Sequence, residues 1–283
     1  MILKFNSYLY YLLPIALVTG PFLSDLFISL IAITTLIFII KKKLRINLLK
    51  NKFLLLLILF YLYLILNSLF VSTDTYHSLE SSFVYLRFIF FYIGFNLLIH
   101  SVHNFKNHVF YFIIFTLGLV SIDGLIQYFL GVNLIGLEAR ESRVSGFFGE
   151  EYILGSYLVK ILPIACALFY FLKENNKLRG NIDYLFIFFL FITIFAILIS
   201  GERAAFISCL GFLLISSVYL FKFKYSIIIL IVTVIISLLV LNFLDGPRER
   251  IINETQKEIK FNLEGDITNL IPINHKDLFH TSL

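Results

Sequence analysis

The chain has 283 residues, 59% of them hydrophobic and 14% charged, with a mean hydropathy of +0.92. Soluble domains are about 45–50% apolar and about 25% charged, so a single water-soluble core is excluded. The net charge of +5 does not indicate a nucleic-acid partner, because the basic residues form short clusters between apolar runs, as topology anchors do.

Apolar windows of about 20 residues, enough to cross a hydrocarbon core of about 30 Å, recur along the chain. The first apolar region, Tyr8 to Ile40, is too long for one span, and Gly20-Pro21 divides it into a hairpin over 7–20 and 22–40. Lys4 precedes this region as in a signal peptide. Pro21 after the small-residue site argues against cleavage and for a retained first span. Further spans are predicted at 53–71, 81–99, 109–130, 152–172, 184–200, 204–221 and 225–244.

Loop charge sets the predicted orientation. With the N-terminus in the cytoplasm, cytoplasmic segments receive Lys4, then Lys41 to Lys43 with Arg45, Lys50 and Lys52, then Lys106, then Lys173, Lys177 and Arg179, then Lys222 and Lys224. The short opposite loops receive only Arg140, Arg143 and Arg203. This alternation follows the positive-inside rule. The expected fold class is therefore all-α, a polytopic integral membrane helical bundle of nine spans over 1–244. The polar segment 245–283 is expected to begin a periplasmic domain, and the sequence to be the front part of a longer protein.

Arginine outside the membrane runs against the topology rule and needs a reason. Arg140 and Arg143 lie in the loop after the fifth span, and Arg203 lies in the tight turn Ser200-Gly201-Glu202-Arg203. Two readings stand. The side chains snorkel and pair with nearby Glu, or they form an anion site, since the planar guanidinium fork matches phosphate oxygens. Three further charges fall inside spans: Arg87, Asp123 and Lys160. At about 1.5 Å per residue, all three come to about 10–12 Å below the outer face. Intramembrane ionisable groups face a partner or a wet cavity. One reading is an ion pair of Asp123 with Lys160 or Arg87; the other is an outward-open polar cavity floored by these residues and rimmed by Arg143 and Arg203. The spacing of His100, His103 and His108 matches no metal-ligand pattern, and His275 and His280 in the tail read as an acid or base or as solvated surface. Cys166 and Cys209 lie in apolar runs and offer neither a disulfide framework nor a zinc site.

Four short stretches carry a resemblance. The stretch Ile122-Asp123-Gly124-Leu125-Ile126-Gln127-Tyr128-Phe129-Leu130-Gly131 is followed by Arg143-Val144-Ser145-Gly146-Phe147-Phe148-Gly149 and Leu154-Gly155-Ser156-Tyr157-Leu158. Together with Ser200-Gly201-Glu202-Arg203-Ala204-Ala205-Phe206, they resemble the bacterial O-antigen ligase and O-antigen polymerase superfamily. The resemblance covers about 120–210 by motif and the whole chain by span layout. It implies a metal-independent, cofactor-free glycosyltransferase in the bacterial inner membrane, acting on the periplasmic face. The implied donor is a glycan on undecaprenyl diphosphate, and the acceptor is a lipid A core sugar or another lipid-linked repeat. Arg143 and Arg203 match the family arginines that engage the diphosphate and are the catalytic candidates. Arg140, Arg87, Lys160, Asp123 and Glu202 are the substrate-binding candidates. The family's basic His belongs to a periplasmic motif in which neither His275 nor His280 stands, so the base for the acceptor hydroxyl is unassigned. A transporter or flippase of lipid-linked glycans is the competing expectation, and a non-catalytic membrane subunit is a third.

Overall fold

The computed structural model describes residues 2–42, 51–139, 143–175 and 182–220, with short pieces at 235, 248–253 and 256–257. Nine α-helices are present among the described residues: α1 (Ile2–Val18), α2 (Pro21–Lys42), α3 (Lys52–Phe70), α4 (Thr75–Val84), α5 (Leu86–Ser101), α6 (Phe105–Leu130), α7 (Leu154–Glu174), α8 (Ile182–Ile199) and α9 (Arg203–Leu220). No strand occurs among them; one isolated antiparallel bridge joins Val132 and Glu138. Helices stand at eight of the nine predicted places. The ninth, 225–244, lies outside the described residues except at Ile235, and the predicted boundary at 244/245 and Arg140 lie outside them as well.

The punctuation between helices is readable residue by residue. Gly20 takes a φ of +114°, which an L side chain resists, and Pro21 then opens α2 at a position where its missing N–H costs nothing. Asn51 caps α3 by accepting from Leu54 N at 3.1 Å. Asp74 caps α4 in the same way, accepting from His77 N at 3.1 Å. This second cap corrects the predicted fourth span. The helix begins at Thr75 rather than near 81 and is interrupted at Tyr85 before continuing as α5. Short polar side chains at a cap satisfy free N–H groups, and a hydropathy window does not register that signal.

Five helical stretches are long and apolar enough to cross a membrane: Pro21–Lys42, Lys52–Phe70, Thr75–Ser101, Phe105–Leu130 and Leu154–Glu174. Three shorter apolar helices accompany them. On α3, large side chains such as Phe53, Leu56, Leu59, Phe60, Tyr63 and Leu66 are exposed. Such outward apolar surface suits a membrane-embedded helical protein, in which lipid covers it.

The chain divides into two compact units: Met1–Leu117 with Ile164–Gly180, and Gly118–Pro163 with Asn181–Leu283. In the first, α2 packs on α5 at Gly94, where a Cβ would press on Thr35, on the Tyr10 hydroxyl at 3.0 Å and on Ile31 at 3.6 Å. Small residues allow such close helix approach in an apolar medium. Buried polar groups here satisfy one another. Thr34 donates to Asn6 Oδ1 at 2.6 Å, Asn6 donates to Thr35 at 3.3 Å, and Tyr10 donates to the Phe91 carbonyl. The second unit carries the long loop from Gly131 to Ile153 and the tight turn from Ser200 to Glu202.

Candidate functional site

The loop after α6 is held down by that helix's own polar face. Asp123 and Gln127 are one helical turn apart, so they project to the same side, and both are fully buried at 0% exposure. Gln127 Oε1 accepts from Ser145 N at 2.9 Å and Gly146 N at 2.7 Å, while its Nε2 donates to the Leu137 carbonyl at 3.2 Å. Asp123 Oδ1 accepts from Leu134 N at 2.9 Å, and its Oδ2 accepts from Asn133 Nδ2 at 3.3 Å. Asn133 completes the network. Its Nδ2 also donates to the Gly146 carbonyl at 2.9 Å, and its Oδ1 accepts from Ile135 N at 3.1 Å and Leu137 N at 2.7 Å. The loop's backbone polar groups, which burial would otherwise leave unpaired, are satisfied by three side chains.

This network alters the reading of Asp123. Among the described residues it pairs with neither Lys160 nor Arg87; its donors are an amide side chain and a backbone N–H. Lys160 is exposed on α7. Arg87 belongs to the first unit, where its Nη2 lies 2.8 Å from Asp25 Oδ1 and its Nη1 donates to Ser29 Oγ at 3.4 Å. Asp25 escaped the sequence reading. The available signal was an acid four residues beyond Pro21, inside an apolar run. Gln127 and Asn133 were missed as well. A Gln one turn after an intramembrane Asp, with Asn two residues past Gly131, was the legible hint.

The segment that carries Arg143 leads directly into α7. The Arg143 guanidinium lies 4.5 Å from the centroid of the Tyr152 ring, and its Nη2 donates to the Tyr152 carbonyl at 3.4 Å. Its Nε is buried with no hydrogen-bond partner. Among the described residues no carboxylate pairs with it. Arg143 is thus a half-buried cation held against an aromatic face with donors left unused.

Glu202 meets α7 from the other side. Its Oε1 accepts from Gly155 N at 2.7 Å; its Oε2 accepts from Ser156 N at 3.1 Å and from the Ser156 hydroxyl. A carboxylate here satisfies free N–H groups of a helix start and complements its positive dipole end. Glu202 is 9% exposed, so the lone pairs expected to face substrate face α7. Arg203 follows at once as the first residue of α9, half-buried. Of the two predicted arginine segments, 60 residues apart by their numbers 143 and 203, the one with Arg203 is fastened to the first turn of α7 through Glu202, and Arg143 contacts Tyr152, two residues before that helix. No group of His, Cys, Asp or Glu able to hold a metal ion occurs among the described residues. No family model matches the chain, and no curated protein or solved structure matches it.

Proposed function

We propose that the protein is a membrane glycosyltransferase of the O-antigen ligase or polymerase type. In this reading it has nine spans with a cytoplasmic N-terminus and sits in a bacterial inner membrane. Its substrates are a glycan on undecaprenyl diphosphate as donor and a lipid A core sugar or a second lipid-linked repeat as acceptor. The acceptor hydroxyl oxygen attacks the anomeric carbon and its proton passes to a base. The bond from that carbon to the diphosphate breaks, and undecaprenyl diphosphate departs with the electron pair. No nucleotide is needed, since the donor is already activated. The protein's task is to stabilise charge on the leaving diphosphate, which fixed cations in a partly dehydrated site do better than water.

The observation that carries this reading is that the Glu202–Arg203 turn is bonded to the first turn of α7 while Arg143 lies on Tyr152 just before that helix, its Nε without a hydrogen-bond partner. Two guanidinium groups would suit a diphosphate, which offers oxygens on two phosphorus atoms. The test is Arg203→Ala in the full chain, expressed in its native membrane. Transfer of the glycan is expected to be lost while membrane insertion is retained. Wild-type transfer by this variant refutes the assignment, and loss of movement of the lipid-linked donor across the membrane in place of loss of transfer favours a flippase.

A further inference from the structure

We propose that Glu202 is a positioning residue, a clamp that sets the two arginines in one frame without touching the glycan; this rests on the glycosyl-transfer reading above. Four observations lead to it. The Glu202 carboxylate takes three hydrogen bonds, all from Gly155 and Ser156. Gly155 has no Cβ, and one placed there would press on Ser200 Oγ and lie 3.0 Å from Ala205 Cβ and 3.2 Å from Glu202 Oε1. The 200–203 turn is therefore seated directly on the first turn of α7. The turn is braced from behind as well: the Ser200 hydroxyl donates to the Ile197 carbonyl at 2.7 Å, and Glu202 N donates to Ser200 Oγ at 3.3 Å. Arg143 grips the same place through Tyr152, two residues ahead of α7.

The helix start thus fixes the turn that carries Arg203, and the residue pair just before it, Tyr152 with Arg143, continues directly into the same helix. Gly201 takes a φ of +69°, a conformation that L side chains rarely adopt. Two cations aimed at one diphosphate must hold their spacing, and a misplacement of about 1 Å costs about 100-fold in rate. Loosening the clamp displaces Arg203 while leaving the helices intact, so its effect falls on turnover before it falls on folding.

The test compares Glu202→Gln, Ser156→Ala, Arg143→Ala and Arg203→Ala in the full chain, reconstituted in lipid nanodiscs. The donor is undecaprenyl diphosphate bearing one glycan repeat. In Glu202→Gln one oxygen still accepts from Gly155 N, but an amide NH2 now faces the Ser156 N–H. Its kcat is expected to fall about 10–100-fold, with the donor KM and the unfolding midpoint near wild type. Adding Arg203→Ala to it should cost nothing beyond Arg203→Ala alone, because both act through one cation. Ser156→Ala, which removes one of the three bonds, should lose about three-fold and decides the matter if Glu202→Gln does not fold. Wild-type kcat in Glu202→Gln or in a folded Ser156→Ala, with Arg203→Ala inactive, overturns the clamp and leaves the transferase reading standing. A kcat loss that only tracks a lowered unfolding midpoint also overturns it. Full transfer by Arg143→Ala and Arg203→Ala overturns the transferase reading itself.

Discussion

The two units of the chain handle their charged side chains in different ways. In the first, cation meets counter-group: Arg87 pairs with Asp25, and Lys106 lies 3.8 Å from the centre of the Phe171 ring. In the second, the carboxylates of Asp123 and Glu202 are held by backbone amides and neutral side chains. A carboxylate satisfied by neutral donors does not consume a neighbouring cation. Arg143 has no carboxylate partner among the described residues and lies against the Tyr152 ring. The Nε of Arg87 and that of Arg143 are both buried without a hydrogen-bond partner, so the difference between the units is the carboxylate that Arg87 has and Arg143 lacks.

Substitutions that break this contrast should have graded effects. The largest is expected for Arg143→Ala, which removes the available cation. On the proposed transferase reading, glycan transfer should fall about 100–1,000-fold, the effect of losing one fixed donor to a developing charge, with the protein still folded and inserted. Next is Asn133→Ala. It deletes an acceptor for two backbone N–H groups and a donor to Asp123 and the Gly146 carbonyl. A stability loss of about 3 kcal/mol is expected, together with faster amide hydrogen exchange over 131–149; unchanged exchange there means the loop is not anchored by Asn133.

Gly155→Ala should cost about 2 kcal/mol, because the added methyl overlaps the 200–203 turn and the core cannot absorb it freely. Chemical unfolding in detergent measures this, and a neutral result would show that the turn gives way easily. The smallest effect is expected in the first unit. Asp25→Asn removes the partner of Arg87, but the Asp25 side chain is 56% exposed, and exposed pairs contribute about 1 kcal/mol or less. Glycan transfer should be unaffected. A transfer loss equal to that of Arg143→Ala would erase the distinction between the units.

Much of the architecture was legible in the residues. Helix places follow from apolar run length and from Gly20-Pro21, because both signals are local. The start of α4 was not found, since Asp74 acts through one cap bond that a 20-residue average dilutes. At the candidate site, the residues 123, 143, 202 and 203 were singled out for their rarity: charged or Gly-framed positions in an apolar chain. Their roles were not readable. For Asp123 two readings stood, an ion pair with Lys160 or Arg87 and a place in the floor of a polar cavity; its donors are Asn133 and Leu134 N.

By itself, the sequence determined that this is a helical protein suited to a membrane, where its helices lie, and which few polar residues interrupt its apolar runs. These properties depend on composition and on spacing within about 20 residues. The tertiary structure alone decided the partners. Glu202 meets Ser156 across 46 residues, and Arg87 meets Asp25 across 62. A hydrogen bond between distant segments leaves no periodic trace in either one, because it is set by where the chain returns. That return is what turns an isolated Glu into the brace of a helix start.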